Sequence, residues 1–221
     1  MLTLDSKIET LYNFKMFSIK LTHEHTALVN DFCQAAASAG FENNSSIEKM
    51  KFNGKYDLSD PADFWGLVLD NKLIAVSGSH IQQDSIRCLF RSATLPEYSS
   101  LIPGISKNHM NSLPFSILLP YQIVQGLNQG IKDFYITTSN GDHDASGKMK
   151  RTHKALSLLA KRGIVDFAGD EVIYYTNQSK WKINLFNYFN ALKSFHATRV
   201  QLGIDLSDDY FLLMQQGFNI A

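Results

Sequence analysis

The chain has few of the residues that mark a disulfide framework, a membrane anchor or a strongly charged binding surface. Its 221 residues include only two cysteines, Cys33 and Cys88, and both lie in apolar patterns, so we expect buried free thiols in a reducing compartment. No apolar run approaches the length of a membrane-spanning helix. Twenty-one basic residues balance 21 acidic ones, so neither nucleic acid nor a membrane surface is expected as a partner. The mixed, acid-containing first residues predict no signal peptide, and we expect a cytoplasmic protein.

Complete catalytic motifs are also absent. The histidines predict no metal site, because His23 and His25 face apart on a predicted helix, and His143 and His153 lack partners at ligand spacing. The segment from Gly141 to Lys148 is one residue too long for a phosphate-binding P-loop and lacks its Ser or Thr. A function must therefore be inferred from fold and from isolated residues.

The clearest pattern runs from Phe64 to Thr94. It predicts three antiparallel strands joined by tight turns at Asp70–Lys72 and Gln83–Asp84. These strands are apolar on both faces, which is typical of a sheet covered by helices on both sides. The meander therefore predicts the centre of an α+β domain.

Predicted elements on either side of the meander complete a domain over residues 1–178. A strand is predicted over 14–21, then a helix from a Thr22 cap to a Gly40 stop, and a short helix after Ser45 or Ser46. A long loop over 95–114 follows the meander. The later elements are a helix over 115–129, a strand over 133–138, a helix over 146–162 and a hairpin of 164–167 with 171–177.

Residues 179–221 predict a helical extension. Trp181, Leu185 and Phe189 fall at helical spacing, and a last helix is predicted from a Ser207 cap to a stop at Gly217. The extension carries too many large apolar residues to be solvated. We expect it to pack on the domain or on a second copy of the chain, so a homodimer stays open.

The order of elements and three short sequences resemble the GNAT-type N-acetyltransferase superfamily. Pro-Glu-Tyr at 96–98 follows the third meander strand, Asn140 follows the strand ending at Thr138, and the late helix ends in the Gly-Ile of 163–164. The resemblance covers roughly residues 14–178. It implies a GNAT-like central mixed sheet of about seven strands with helices on both faces. The third meander strand and the strand over 133–138 should then lie parallel, with ends that splay into a cleft.

The same resemblance implies acetyl-CoA or another acyl-CoA as cofactor. Family members bind its pyrophosphate through a glycine-rich loop after Pro-Glu-Tyr. Here that motif is degraded to the sequence SSLIPG over residues 99–104, so we expect the 99–111 loop and the helix start near Ser146 to hold phosphates, unless the basic residues there are a solvated face. The candidate cofactor-binding residues are Ser99, Ser100, Gly104, Asn140, Ser146, Gly147, Lys148 and Arg151.

Four residues are candidates for contact with a substrate. Glu97 could relay a proton from an amine and Tyr98 could protonate a departing thiolate, or both could be ordinary loop residues. Arg87 and Arg91 are four apart on one predicted strand, which predicts the same orientation for both. They could bind a substrate carboxylate or phosphate, or could pair with acidic side chains.

Two functions are compatible with this pattern. The first is an N-acyltransferase that moves an acetyl or acyl group from acyl-CoA to a small-molecule or peptide amine. The second is a non-catalytic GNAT-fold protein used for protein binding or viral particle assembly. The degraded phosphate loop favours the second function, and the order of elements favours the first.

Overall fold

A computed structural model of the protein describes residues 16–41, 62–82, 84–98, 112–139, 151–173, 176–201 and 208–220. The strands are β1 (Met16–Lys20), β2 (Ala62–Leu69), β3 (Lys72–Gln82), β4 (Ser85–Thr94), β5 (Asp133–Ser139), β6 (Val165–Ile173) and β7 (Thr176–Ile183). The α-helices are α1 (Thr26–Ala36), α2 (Leu119–Asn128), α3 (Arg151–Ala160), α4 (Leu185–Gln201) and α5 (Asp208–Ile220).

The strands form one mixed sheet in the order β1-β2-β3-β4-β5-β7-β6. The first four are antiparallel, β4 pairs with β5 in parallel, and β7 is antiparallel to both of its neighbours. The β2–β3 turn has positive φ angles at Asp70 (49°) and Asn71 (62°), as a tight two-residue hairpin turn requires. The predicted meander, the seven strands and the parallel pair of 85–94 with 133–139 are confirmed.

Helices cover both faces of the sheet. On one face α1 packs on β3, and its Phe32 joins Leu73 and Val76 in one buried cluster. On the other face α2 packs on β4 and β5, where Gly126 lies against the side chains of Ile86 and Phe134. Helix α3 lies on that same second face. None of the helices in the described ranges is long and apolar enough to cross a membrane.

The predicted 164–167/171–177 hairpin is wrong. Strand β6 continues through residues 168–170, where Gly169 (φ 95°) lies in a β-bulge: the pairs Phe167–Trp181 and Asp170–Ser179 set three residue steps on β6 against two on β7. Strand β7 then completes the sheet, so Trp181 is in a strand and the first helix of the extension begins at Leu185. Gly169 and Asp170 had indicated a turn. A β-bulge favours the same residues, because it also needs a glycine that tolerates positive φ.

The extension packs against the body of the molecule in the described residues. The Tyr188 hydroxyl donates to the Phe115 carbonyl (2.6 Å), and the two rings meet edge to face. Gly217 lies against the Phe189 ring, and α5 continues to Ile220, so Gly217 provides close helix contact rather than the predicted stop. The division of the chain at residue 178 stays a prediction.

Other helix ends also differ from the predictions. The predicted stop at Gly40 is wrong, because a π-helical turn (Ala37–Phe41) carries the first helix past it. The helix predicted over 115–129 starts as a π-helical turn (Pro114–Leu118), since Pro120 has no N–H for the regular hydrogen bond. The short helix after Ser45 or Ser46, the Ser207 cap and residues 140–150 lie outside the described residues.

Candidate functional site

A cleft opens where β4 and β5 separate. The two strands pair from Ser85–Asp133 to Cys88–Ile136, and beyond that pair β4 runs on to Thr94 and β5 to Ser139 without a shared register. Among the described residues, the β5-facing edge of β4 therefore has no strand partner there. Cys88 and Ile136 close the narrow end of the cleft, and both are buried.

Two bulges in β4 cause the separation. From Arg87 to Phe90, β4 takes three residue steps opposite two on β3. From Phe90 to Ala93 it again takes three steps opposite the next two on β3. Leu89 has a φ of 54°, a left-handed conformation that costs a non-glycine residue of the order of 1–2 kcal/mol. Such strain persists only where surrounding contacts hold it.

The bulges remove the basis of one prediction about arginines, which itself stays untested. The prediction that Arg87 and Arg91 point to the same side of the sheet assumed that side chains alternate regularly along the strand. The inserted residues break that alternation between the two positions, so the spacing of four no longer predicts a shared side. The Arg91 side chain lies outside what the structure describes.

Gln122 of α2 supports the bulge. The backbone N–H of Leu89 donates to Gln122 Oε1 (2.9 Å), and Gln122 Nε2 donates to Ser77 Oγ (2.8 Å). Ser77 Oγ in turn lies 2.7 Å from Ser92 Oγ. Gln122 and Ser77 are fully buried, so one amide side chain satisfies a backbone N–H at the bulge.

Polar atoms without a partner among the described residues lie on the face of the sheet that α2 and α3 cover. Thr138 lies on β5 two residues beyond the last β4–β5 pair; it is 8% exposed, and its Oγ1 has no hydrogen-bond partner among the described residues. Trp181 Nε1 and His153 Nδ1, whose rings lie 5.5 Å apart, also lack a partner in the described part of the chain. Buried polar atoms are normally paired, so a polar group fits here.

On the opposite face of the sheet, a charged cluster spans four strands. Arg87 of β4 donates from Nε and Nη2 to the two carboxylate oxygens of Glu171 on β6, both at 2.7 Å. Its guanidinium lies 4.8 Å from the centre of the Tyr135 ring on β5. Lys180 of β7 is 3.2 Å from Glu171 Oε2 and 5.1 Å from the same ring. Burial raises the pKa of Glu171, but Arg87 and Lys180 outweigh it and the pKa is lowered overall.

The predicted catalytic pair lies at the open end of the cleft. Glu97 and Tyr98 form a short 3₁₀ turn after β4, with Lys72 Nζ 3.1 Å from Glu97 Oε1 and 5.2 Å from the Tyr98 ring. A backbone hydrogen bond and then Lys72 lower the pKa of Glu97, whose side chain is half exposed. Because of the two bulges, β4 rises only about 14 Å from Cys88 to Thr94, which still separates both side chains from the narrow end.

The structure brings together only part of the predicted site. Arg87 lies at the narrow end and pairs with Glu171. Pairing with an acidic side chain was one of the two interpretations of this arginine. Arg151 begins α3, and its side chain is not described. The remaining predicted cofactor-binding residues, namely Ser99, Ser100, Gly104, Asn140, Ser146, Gly147 and Lys148, lie outside the described residues.

Known proteins resemble this chain in structure but not in sequence. No protein-family model and no curated sequence matches the chain. Among solved structures it is similar to the PaiA N-acetyltransferase of Thermoplasma acidophilum in complex with coenzyme A (14% identity, TM-score 0.43, covering 76% of this chain and 98% of that one). It is also similar to a spermidine N-acetyltransferase chimera from Vibrio cholerae and human (11%, 0.48, 79% and 98%) and to the aminoglycoside 6'-N-acetyltransferase of Enterococcus faecium (12%, 0.45, 75% and 94%).

At these identities and scores, neither substrate nor cofactor follows from the likeness. The fold assignment rests on the chain itself: the strand order, the parallel β4–β5 pair that separates, and helices on both faces. The fold is of the GNAT type.

Proposed function

We propose that the protein is an acyl-CoA-dependent N-acyltransferase that acts on an amine. The observation that carries this proposal is the separation of β4 from β5 past Cys88–Ile136. A strand edge without a partner offers backbone N–H and C=O groups to any extended chain that carries amides. The pantetheine arm of coenzyme A is such a chain, because it contains two amide groups.

The residues of the cleft fit that cofactor. The β5-facing edge of β4 from Leu89 to Thr94 would align the amides, and the buried Thr138 hydroxyl would gain the hydrogen-bond partner that it lacks among the described residues. We assign the phosphates to the 99–111 loop and to the helix start near Ser146 and Arg151. When bound, acyl-CoA supplies an activated thioester carbonyl for the amine to attack.

The chain's own contribution is positioning, exclusion of water and movement of protons. The narrow end is lined by buried Cys88 and Ile136, which keeps water from competing with the amine. Glu97 and Tyr98 remain our proposed proton carriers. Because they lie at the open end of the cleft, a proton released by an amine at the narrow end would reach them only through intervening polar groups or water. A backbone hydrogen bond and then Lys72 lower the Glu97 pKa, which keeps its carboxylate ionised but makes it a weaker base than an ordinary glutamate. We also propose that the protein is cytoplasmic.

Calorimetric titration with coenzyme A tests the proposal. Because the glycine-rich loop is degraded, side-chain charge must replace aligned backbone donors, and such charge is screened by salt. We expect a dissociation constant of the order of 10–1000 μM, or about −7 to −4 kcal/mol, that weakens as salt is raised. Changing Lys148 and Arg151 together to Ala should largely abolish binding.

Two controls complete this test. Lys161 and Arg162, exposed in the turn just after α3, carry the same charge, and their double Ala variant should bind as the parent does. No heat at millimolar coenzyme A, from protein shown to be folded, would favour the non-catalytic function instead.

A further inference from the structure

The charged cluster on the sheet face opposite α2 and α3 has an excess of positive charge. It contains two cations, Arg87 and Lys180, and one anion, Glu171. Their side chains are only 6%, 23% and 15% exposed, so solvent screens them weakly. The next cation along β7, Lys182, has its own acid, Asp133, at 2.7 Å and adds no net charge. A further acid on this face, Asp166 of β6, lies opposite Lys182 and is exposed to solvent. Among the described residues, one positive charge therefore remains within the cluster of Arg87, Lys180 and Glu171.

Lys180 is the member of the cluster with hydrogen-bonding capacity left. Arg87 already directs Nε and Nη2 to Glu171 and Nη1 to Ser85 Oγ (2.8 Å). Glu171 receives hydrogen bonds on both oxygens, so it has little to offer an incoming ammonium group. The Lys180 ammonium carries three N–H donors and directs one towards Glu171, while part of its side chain reaches solvent.

The cluster also has the right position for an acceptor. Arg87 directly precedes Cys88, the last β4 residue that pairs with β5, and adjacent strand residues face opposite sides of the sheet. The cluster thus lies beside the narrow end of the cleft, on the face away from the unsatisfied Thr138 hydroxyl. An acceptor held there meets the reactive end of the cleft from the side that α2 and α3 leave open.

We infer that Lys180 binds a carboxylate of the acceptor, so that the substrate is an amine that carries a carboxylate. An unbalanced cation in a weakly screened site is unfavourable, and one monovalent anion would balance it. Arg87 and Tyr135 position the Lys180 ammonium, Arg87 by holding Glu171 beside it and Tyr135 through its ring face. The identification of the bound molecule as an acyl acceptor rests on the proposed function. The anion site itself can be tested without acyl-CoA.

The experiment is ligand-observed NMR titration in the absence of coenzyme A. The probes are glycine, β-alanine and 4-aminobutyrate, each compared with its primary amide, which keeps the amine and removes the negative charge. We expect at least one aminocarboxylate to bind roughly ten-fold more tightly than its amide, and added salt to reduce that preference. Lys180→Gln should remove the preference and Lys180→Arg should keep part of it.

Lys182→Gln is the matched control, because Lys182 lies on the same strand and face but is already paired. Its preference should match that of the parent. Equal binding of acid and amide to the parent protein, or no binding of any aminocarboxylate at millimolar concentration, would overturn the inference whether or not the variants fold. Acyl transfer only to amines that carry no carboxylate would refute this inference and leave the proposed function standing. Carboxylate binding without coenzyme A binding would support this inference and refute the proposed function.

Discussion

Replacing Gln122 by methionine should destabilise the protein by about 2–4 kcal/mol. Methionine fills a similar volume, so the cost comes from hydrogen bonds rather than from a cavity. The buried Leu89 N–H would lose its acceptor at about 1–3 kcal/mol, and Ser77 would lose a donor at about 1 kcal/mol while keeping Ser92. For a chain of this size, the expected fall in melting temperature is roughly 5–15 °C.

Gln125→Met is the matched control, because Gln125 lies one turn further along the same helix. Its amide donates to Asp63, whose side chain is 39% exposed, so water can replace the bond at a cost below about 1 kcal/mol. Urea denaturation of both variants gives the two unfolding free energies. If Gln122→Met loses no more stability than Gln125→Met, then Gln122 does not support the bulge and our account of the cleft is wrong.

Three further predictions concern packing, charge and the thiols. Gly217→Ala should lower the melting temperature, with a cost of about 1–3 kcal/mol, because its methyl group would meet the buried Phe189 ring; an unchanged value would mean that α5 does not pack there. The lowered pKa of Glu171 stabilises the fold above the usual Glu range, and this contribution is lost as pH falls through the lowered pKa. Glu171→Gln, which leaves Arg87 unpaired, should therefore cost about 3 kcal/mol in urea titrations at pH 7 and progressively less towards pH 3, whereas a constant difference would exclude this linkage. Both cysteines are buried, and burial raises the pKa of Cys88, so native protein should not react with Ellman's reagent until denaturant is added.

Local patterns predicted the parts of the fold that local interactions determine. The Asp70-Asn71 turn predicted the first hairpin of the meander because both residues tolerate positive φ. The helix over 115–129 predicted a parallel β4–β5 pair because a parallel crossover needs a helix between its strands. The order of these local elements carried the resemblance to the GNAT superfamily, and that resemblance implied the seven-stranded sheet.

The errors arose where one local pattern supports two structures. Trp181, Leu185 and Phe189 fit helical spacing, yet Ser179, Trp181 and Ile183 also alternate, and their burial shows that alternation prevailed. Pairing with both β5 and β6 decided between the two, and a sequence pattern does not contain that long-range register.

The site was less predictable than the fold for the same reason. Gln122 is one polar residue in an apolar helix, and only its buried position opposite a strained Leu89 gives it a role. Arg87 and Glu171 are 84 residues apart, and their contact depends on the order of four strands. A glutamine at a core-facing position of the predicted helix was the signal that could have been pursued.

Amide hydrogen exchange with and without acetyl-CoA tests the central claim most directly. We predict that acetyl-CoA slows exchange in β4 from Leu89 to Thr94 and at the end of β5 near Thr138, where the two strands separate. Exchange in α1, on the other half of the sheet, should stay unchanged. Slowed exchange confined to α1, or none in β4 at a concentration where calorimetry shows binding, would contradict the claim that this cleft holds the cofactor.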